Sequence, residues 1–144
     1  KLKKELIENS SNPKFTILDY MTDGQATTCV DGSSELISGE PVTIAACDNG
    51  MIYDSSLFKS LMDSNNIDVI VWAARGYPGA IRSPNMYGWI DAEENGFINK
   101  ISVKTPLANP STDPIVVGTF TFKKLSNFFL SVENMKNRKG KING

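Results

Sequence analysis

The chain has 144 residues, 40% of them hydrophobic and 22% charged, a balance that suits one packed domain and excludes a disordered segment. Its 15 basic and 16 acidic residues leave a net charge of -1, without the basic excess of a nucleic-acid surface. It contains no histidine, which removes histidine metal sites and every catalytic triad built on imidazole.

The two cysteines, Cys29 and Cys47, stand apart in apolar settings, without zinc spacing. They are expected to be buried free thiols in a reducing cytoplasm. No apolar stretch approaches the roughly 20 residues of a membrane span. The start, Lys1-Leu2-Lys3-Lys4-Glu5-Leu6, has no secretory apolar region. The cations Lys136, Arg138, Lys139 and Lys141 read as a solvated helix end and loop.

In chain order, residues 1–8 read as a helix with Leu2, Leu6 and Ile7 on one side. A turn cluster at 9–13 leads to a short strand, Phe15-Thr16-Ile17-Leu18. A helix is predicted over 24–37, with Ala26, Cys29, Val30 and Ile37 on one face and Thr22 or Asp23 as its cap. The apolar run 42–46 reads as a buried strand. It ends at Cys47-Asp48-Asn49-Gly50, so a carboxylate stands at a strand's carboxyl end, where ligands bind in open α/β sheets. Asp54 caps a helix carrying Leu57, Phe58, Leu61 and Met62, and residues 68–74 form a second buried strand. Strand, helix, strand, helix, strand predicts parallel βαβ units.

The pattern then changes. Residues 87–91 and 96–103 flank a turn ending in Asn95-Gly96 and predict a β-hairpin. A loop over 104–114, holding Pro106, Pro110 and Pro114, precedes the strand 115–122. A last helix carries Leu125, Phe128, Phe129 and Val132. Trp72, Trp89, Phe120 and Phe122 are expected in the core, Arg75 and Arg82 at the surface, and Tyr77-Pro78-Gly79 in a turn without chemical role.

Taken in order, these features resemble the sugar-phosphate nucleotidyltransferases, the family of glucose-1-phosphate thymidylyl-, uridylyl- and cytidylyltransferases. Thr22-Asp23-Gly24-Gln25-Ala26 is similar to the family's T-x-G-x-A loop, and Cys47-Asp48-Asn49 to its strand ending in G-D-N. Tyr87-Gly88-Trp89-Ile90 resembles its Y-G-x-V hairpin start. Val103-Lys104-Thr105 keeps only the lysine of E-K-P. Gly118-Thr119-Phe120-Thr121-Phe122 is similar to G-x-Y-x-F, and Ile142-Asn143-Gly144 to the start of N-G-E-Y-Y-x-D.

The resemblance implies an α/β, Rossmann-like GT-A core with a mixed, mostly parallel sheet and a hairpin insertion. It implies a single partial domain over 1–144, with residues 1–76 on the nucleotide and metal side and 77–144 on the sugar-phosphate side. Asp48 would bind Mg²⁺, and Thr22, Gly24 and Gln25 the nucleobase. Tyr87, Gly88, Lys104, Gly118 and Thr119 would hold the sugar phosphate, with Asp48 and Lys104 catalytic. The implied partners are a nucleoside triphosphate and a sugar or alcohol phosphate, with no nucleic acid and no membrane.

No G-x-G-x-R loop and no second metal aspartate occur in these 144 residues. The expectation is therefore a piece truncated at both ends, with little catalysis of its own. Two alternatives are a non-catalytic nucleotide-sugar-binding module and a GT-A glycosyltransferase. The second usually carries Asp-x-Asp, and here Gly50 stands two residues after Asp48.

Overall fold

The computed structural model describes residues 2–48 and 50–138. Helix α1 spans Leu2–Asn9 and α2 spans Gln25–Ser33. Strand β1 is Val42–Ile44, α3 is Ser55–Asp63 and β2 is Val69–Ala74. A short helix α4, Pro78–Arg82, and a 3-10 turn at Pro84–Met86 lead into the hairpin of β3 (Gly88–Ala92) and β4 (Ile98–Val103). Strand β5, Ile115–Phe122, and helix α5, Leu125–Lys136, complete the fold. Asn49, the segment 139–144 with Lys139, Lys141 and Ile142-Asn143-Gly144, and Lys1 lie outside the described residues.

The sheet overturns the mostly parallel, Rossmann-like expectation. It has five strands, and every paired neighbour is antiparallel. β5 is the organising strand. Val42, Thr43 and Ile44 of β1 pair with Phe122, Thr121 and Phe120, while Val69, Ile70 and Val71 of β2 pair with the same three residues. A strand has two edges, so β1 and β2 lie on opposite sides of β5. They run in the same direction, as a βαβ order suggests, but a strand from far downstream separates them. β3 joins β5 at Trp89 and Ile115 and carries β4 as the outer strand. β5 pairs at both edges because it is the longest apolar run available, and a pairing so distant in sequence leaves no mark on the local pattern.

Two layers of helix flank the sheet. On one face Phe122 clusters with Leu125, Phe128 and Val132 of α5, joined by Ala26, Cys29 and Val30 of α2 and by Val42, Ile44, Val69 and Phe120. The alternation of strands sends Thr43, Thr121 and Trp72 to the other face. There the Trp72 Nε1 donates to Thr121 Oγ1 at 2.9 Å, and the Thr43 and Thr121 hydroxyls share a bond of 2.9 Å. Phe58 of α3 covers Trp72 with ring centroids 5.5 Å apart, and Tyr53 meets the same indole edge-on at 4.9 Å. Further along this face Ala80 of α4 packs with Trp89 and Ile115.

Several local expectations change. Residues 15–18 form no strand, and Ile17 is 82% exposed. α2 ends at Ser33, four residues early, leaving Ile37 exposed. Gly32 weakens the helix there, and the Ser33 hydroxyl donates to the Cys29 carbonyl at 2.6 Å, competing with helix propagation. Its N-cap is Gly24 with no side-chain cap; the Thr22 hydroxyl bonds Gly24 O and Thr28 Oγ1 instead. Leu57 of α3 is exposed, as are Leu6 and Ile7 of α1. Pro78 and Gly79, expected with Tyr77 in a turn, instead open α4, with Pro78 at its first position, where the missing N–H is harmless. Asp54 does cap α3, accepting from Ser56 N at 2.8 Å and Leu57 N at 3.1 Å.

Candidate functional site

The site is built on a bulge in β5. Between the pairs Val71–Phe120 and Ala73–Val116, a step of two residues along β2 matches a step of four along β5. Gly118 sits in this excess with φ +79°, a left-handed conformation that glycine adopts without the Cβ penalty. A Cβ on Gly118 would lie 3.7 Å from Ala46 Cβ, so the chain leaving β1 runs beside the bulge. Gly88, at the start of β3, lies beside Val116, its virtual Cβ 3.5 Å from Val116 Cγ2. β1 and β3 therefore approach the same edge of β5, two residues apart, β1 by its carboxyl end and β3 by its amino end.

This geometry places five of the expected residues along one edge, and a sixth, Asp48, two residues past the contact at Ala46. Asp48 follows Ala46 in the exposed bend after β1. Gly118 and Thr119 are in the bulge. Tyr87 and Gly88 open β3, and Lys104 lies across from Tyr87, its backbone N–H donating to the Tyr87 carbonyl at 3.0 Å. Lys104 is exposed and has φ +55°, unusual for a residue with a side chain. The bond to Tyr87 and one from Ser102 Oγ to Thr105 O at 2.7 Å hold the turn. The contact at Gly88 is ordinary van der Waals distance, so packing alone would admit a small side chain there.

Thr119 differs from its neighbours. It is fully buried, and its hydroxyl has no hydrogen-bond partner among the described residues. A buried hydroxyl without a partner loses about 1–3 kcal/mol relative to water.

Thr22, Gly24 and Gln25 lie elsewhere. They begin α2, which covers the Phe120–Phe122 face, whereas Tyr87 packs with Ala80 and Trp89 on the opposite face. The Thr22 hydroxyl is engaged within its own loop, and Gln25 is the exposed side chain of the three.

No group of three or more acidic or thiol side chains able to hold a metal occurs among the described residues. A single strand-end carboxylate fits Mg²⁺, which commonly takes one or two carboxylates together with substrate phosphates and waters. Cys47, beside Asp48, is exposed rather than buried, because β1 has ended before it. Cys29 is half-buried against the α5 core, and burial raises its thiol pKa. Tyr20 donates to Asp31 Oδ2 at 2.8 Å; that bond, more than the carboxylate's charge, pushes its phenol upward. Arg75 donates to the Thr112 carbonyl at 2.9 Å and so braces the loop before β5.

Tyr77 was not among the expected site residues. Its ring stands 5.9 Å from that of Tyr87 at an interplanar angle of 73°. The nine residues between them in sequence hide this contact; the glycine two residues after Tyr77 was the only local sign.

Compared with known proteins, the chain matches no protein-family model and no curated protein. No helix among the described residues is long and apolar enough to cross a membrane.

Proposed function

We propose that the chain is the metal- and sugar-phosphate-binding part of a cytoplasmic nucleotidyltransferase. Such an enzyme transfers a nucleotidyl group from a nucleoside triphosphate to a sugar or alcohol phosphate and releases pyrophosphate, in the synthesis of nucleotide sugars. The observation that carries this reading is the approach of two segments to one edge of β5 at the Gly118 bulge: the chain at Ala46, which leads on to Asp48, and the Tyr87–Gly88–Lys104 corner.

The chemistry asks little covalent work of a protein. An oxygen of the sugar phosphate bonds to the α-phosphorus as the bond to the bridging oxygen of pyrophosphate breaks, so positioning and charge neutralisation dominate. Mg²⁺, when bound, would supply charge stabilisation to the phosphates. Asp48 offers it a carboxylate two residues beyond Ala46, which lies beside Gly118. Lys104 offers a cation to the attacking monophosphate, on a backbone tied to Tyr87.

The test is pyrophosphate release by the full product of the gene, with Mg²⁺ and a panel of nucleoside triphosphates and sugar or alcohol phosphates. Turnover is expected, with Asp48→Asn lowering kcat/KM by about 100-fold or more. Absence of turnover across the panel would refute the enzyme. Nucleotide-sugar binding without turnover would instead establish the non-catalytic module.

A further inference from the structure

We infer that the open edge of β2 is where two copies of this chain pair, strand against antiparallel strand, about a two-fold axis at Val71. The inference is independent of the nucleotidyltransferase reading and uses none of its site residues.

Among the described residues the sheet ends in three outer strands, β1, β2 and β4, and two of them are protected. β1 is only three residues long. β4 carries Lys100, and the register shift at Asp91–Ala92 leaves Asn99 as an extra residue in it, a bulge. Short strands, lysines and bulges are the usual devices that keep a sheet edge from pairing with another chain. β2 has none of them. It presents Val69-Ile70-Val71-Trp72-Ala73-Ala74, all apolar, and pairs with β5 alone. The excess residues in the β2–β5 ladder belong to β5, so β2 itself continues without a bulge for about 20 Å.

The groups this edge offers follow from one bond. The Lys123 N–H donates to the Asp68 carbonyl at 2.9 Å, so Asp68 and Lys123 are a hydrogen-bonded pair. Such pairs alternate with non-hydrogen-bonded ones along an antiparallel ladder. Ile70, Trp72 and Ala74 therefore turn their backbone groups to β5, and Val69, Val71 and Ala73 turn theirs to the open edge. These three are evenly placed about Val71. A second copy set antiparallel, with Val71 against Val71, brings Val69 against Ala73 of that copy on either side of the axis. Each such pair can exchange two N–H···O bonds. A two-fold contact of this kind is closed, because it covers both edges and leaves neither for a third copy.

The side chains suit that register. Ile70 falls opposite Trp72 of the second copy, apolar against apolar. The strand is flanked by an acid at its start, Asp68, and a base at its end, Arg75, and both are exposed. Antiparallel pairing sets the start of one strand beside the end of the other, so Asp68 comes next to Arg75 of the second copy at both ends of the seam. Parallel pairing would set like charges together. Arg75 uses one nitrogen on the Thr112 carbonyl and keeps further N–H donors for a carboxylate. This self-complementarity of charge selects a second copy over an unrelated strand.

The experiment is sedimentation equilibrium of the full chain over about 1–100 μM. A monomer–dimer equilibrium is expected. Ala73→Lys places a charge on an exposed residue of the seam and should weaken the dimer about tenfold or more. Val71→Pro removes an N–H that β5 does not use and should do the same with the circular dichroism spectrum retained. Asp68→Arg and Arg75→Glu should each weaken the dimer about threefold, and the two together should restore it. A monomer throughout the series would overturn the inference, and so would an open-ended assembly. A dimer indifferent to Ala73→Lys uses another surface and would overturn it as well; should Val71→Pro fail to fold, Ala73→Lys decides. A double charge variant no tighter than the single ones would overturn the antiparallel seam on which the inference stands.

Discussion

Replacing Thr119 with valine tests whether its buried hydroxyl lacks a partner. Thr119 is fully buried with an unpartnered Oγ1, whereas Thr121, two residues along β5, is equally buried and bonds both Trp72 and Thr43. Valine preserves the branched shape and removes the hydroxyl. At 119 this relieves an unpaired buried polar atom, a gain of about 1–2 kcal/mol. For a domain of this size that raises Tm by roughly 3–6 °C. At 121 the same change strands the Trp72 N–H, so Thr121→Val should lose about 1–2 kcal/mol. Denaturant unfolding followed by tryptophan fluorescence measures both. If Thr119→Val destabilises the protein, the hydroxyl has a partner and the packing argument fails.

Lys104 tests charge against backbone: Lys104→Gly relieves a left-handed conformation worth about 1–2 kcal/mol, offset by about 0.5–1 kcal/mol of glycine entropy, for a small net gain that Lys104→Ala lacks. Both variants should lose sugar-phosphate affinity in calorimetry, and a Lys104→Ala variant that binds normally would remove the lysine from the site. The two cysteines should separate in timed alkylation at pH 8, exposed Cys47 reacting first and Cys29 only on opening. Burial holds the folded-state pKa of Cys29 above its unfolded value, so its contribution to stability is intact below the ordinary thiol pKa and is lost as pH rises through the folded value. Urea midpoints between pH 7 and 10 should fall more for the unchanged protein than for Cys29→Ala, and equal falls would refute this.

The elements that could be read from residues alone are those whose causes lie within a few positions. Asp54 caps α3 because its carboxylate reaches two amides of the next turn. Asn95-Gly96 closes the hairpin, with Gly96 N donating to Glu93 O and Glu93 N to Phe97 O. The run Ile115–Phe122 is a strand along its whole predicted length, and Leu125, Phe128 and Val132 are buried at helical spacing. Residues 15–18 take no part in the sheet, so the strand expected there does not form.

Sequence by itself therefore determined the hairpin, the cap of α3, the buried face of α5, and the presence of a carboxylate after a short strand, one that is half-exposed rather than buried. Tertiary structure alone decided that β5 enters between β1 and β2 and that its bulge at Gly118 draws the chain before Asp48 to the corner of Tyr87, Gly88 and Lys104. It also decided that Tyr77 meets Tyr87 across Gly79. The division has one physical reason. Caps, turns and periodic faces act over distances of a few residues, where sequence order is spatial order, whereas strand pairing and side-chain contacts depend on which surfaces remain unburied once the whole chain has collapsed.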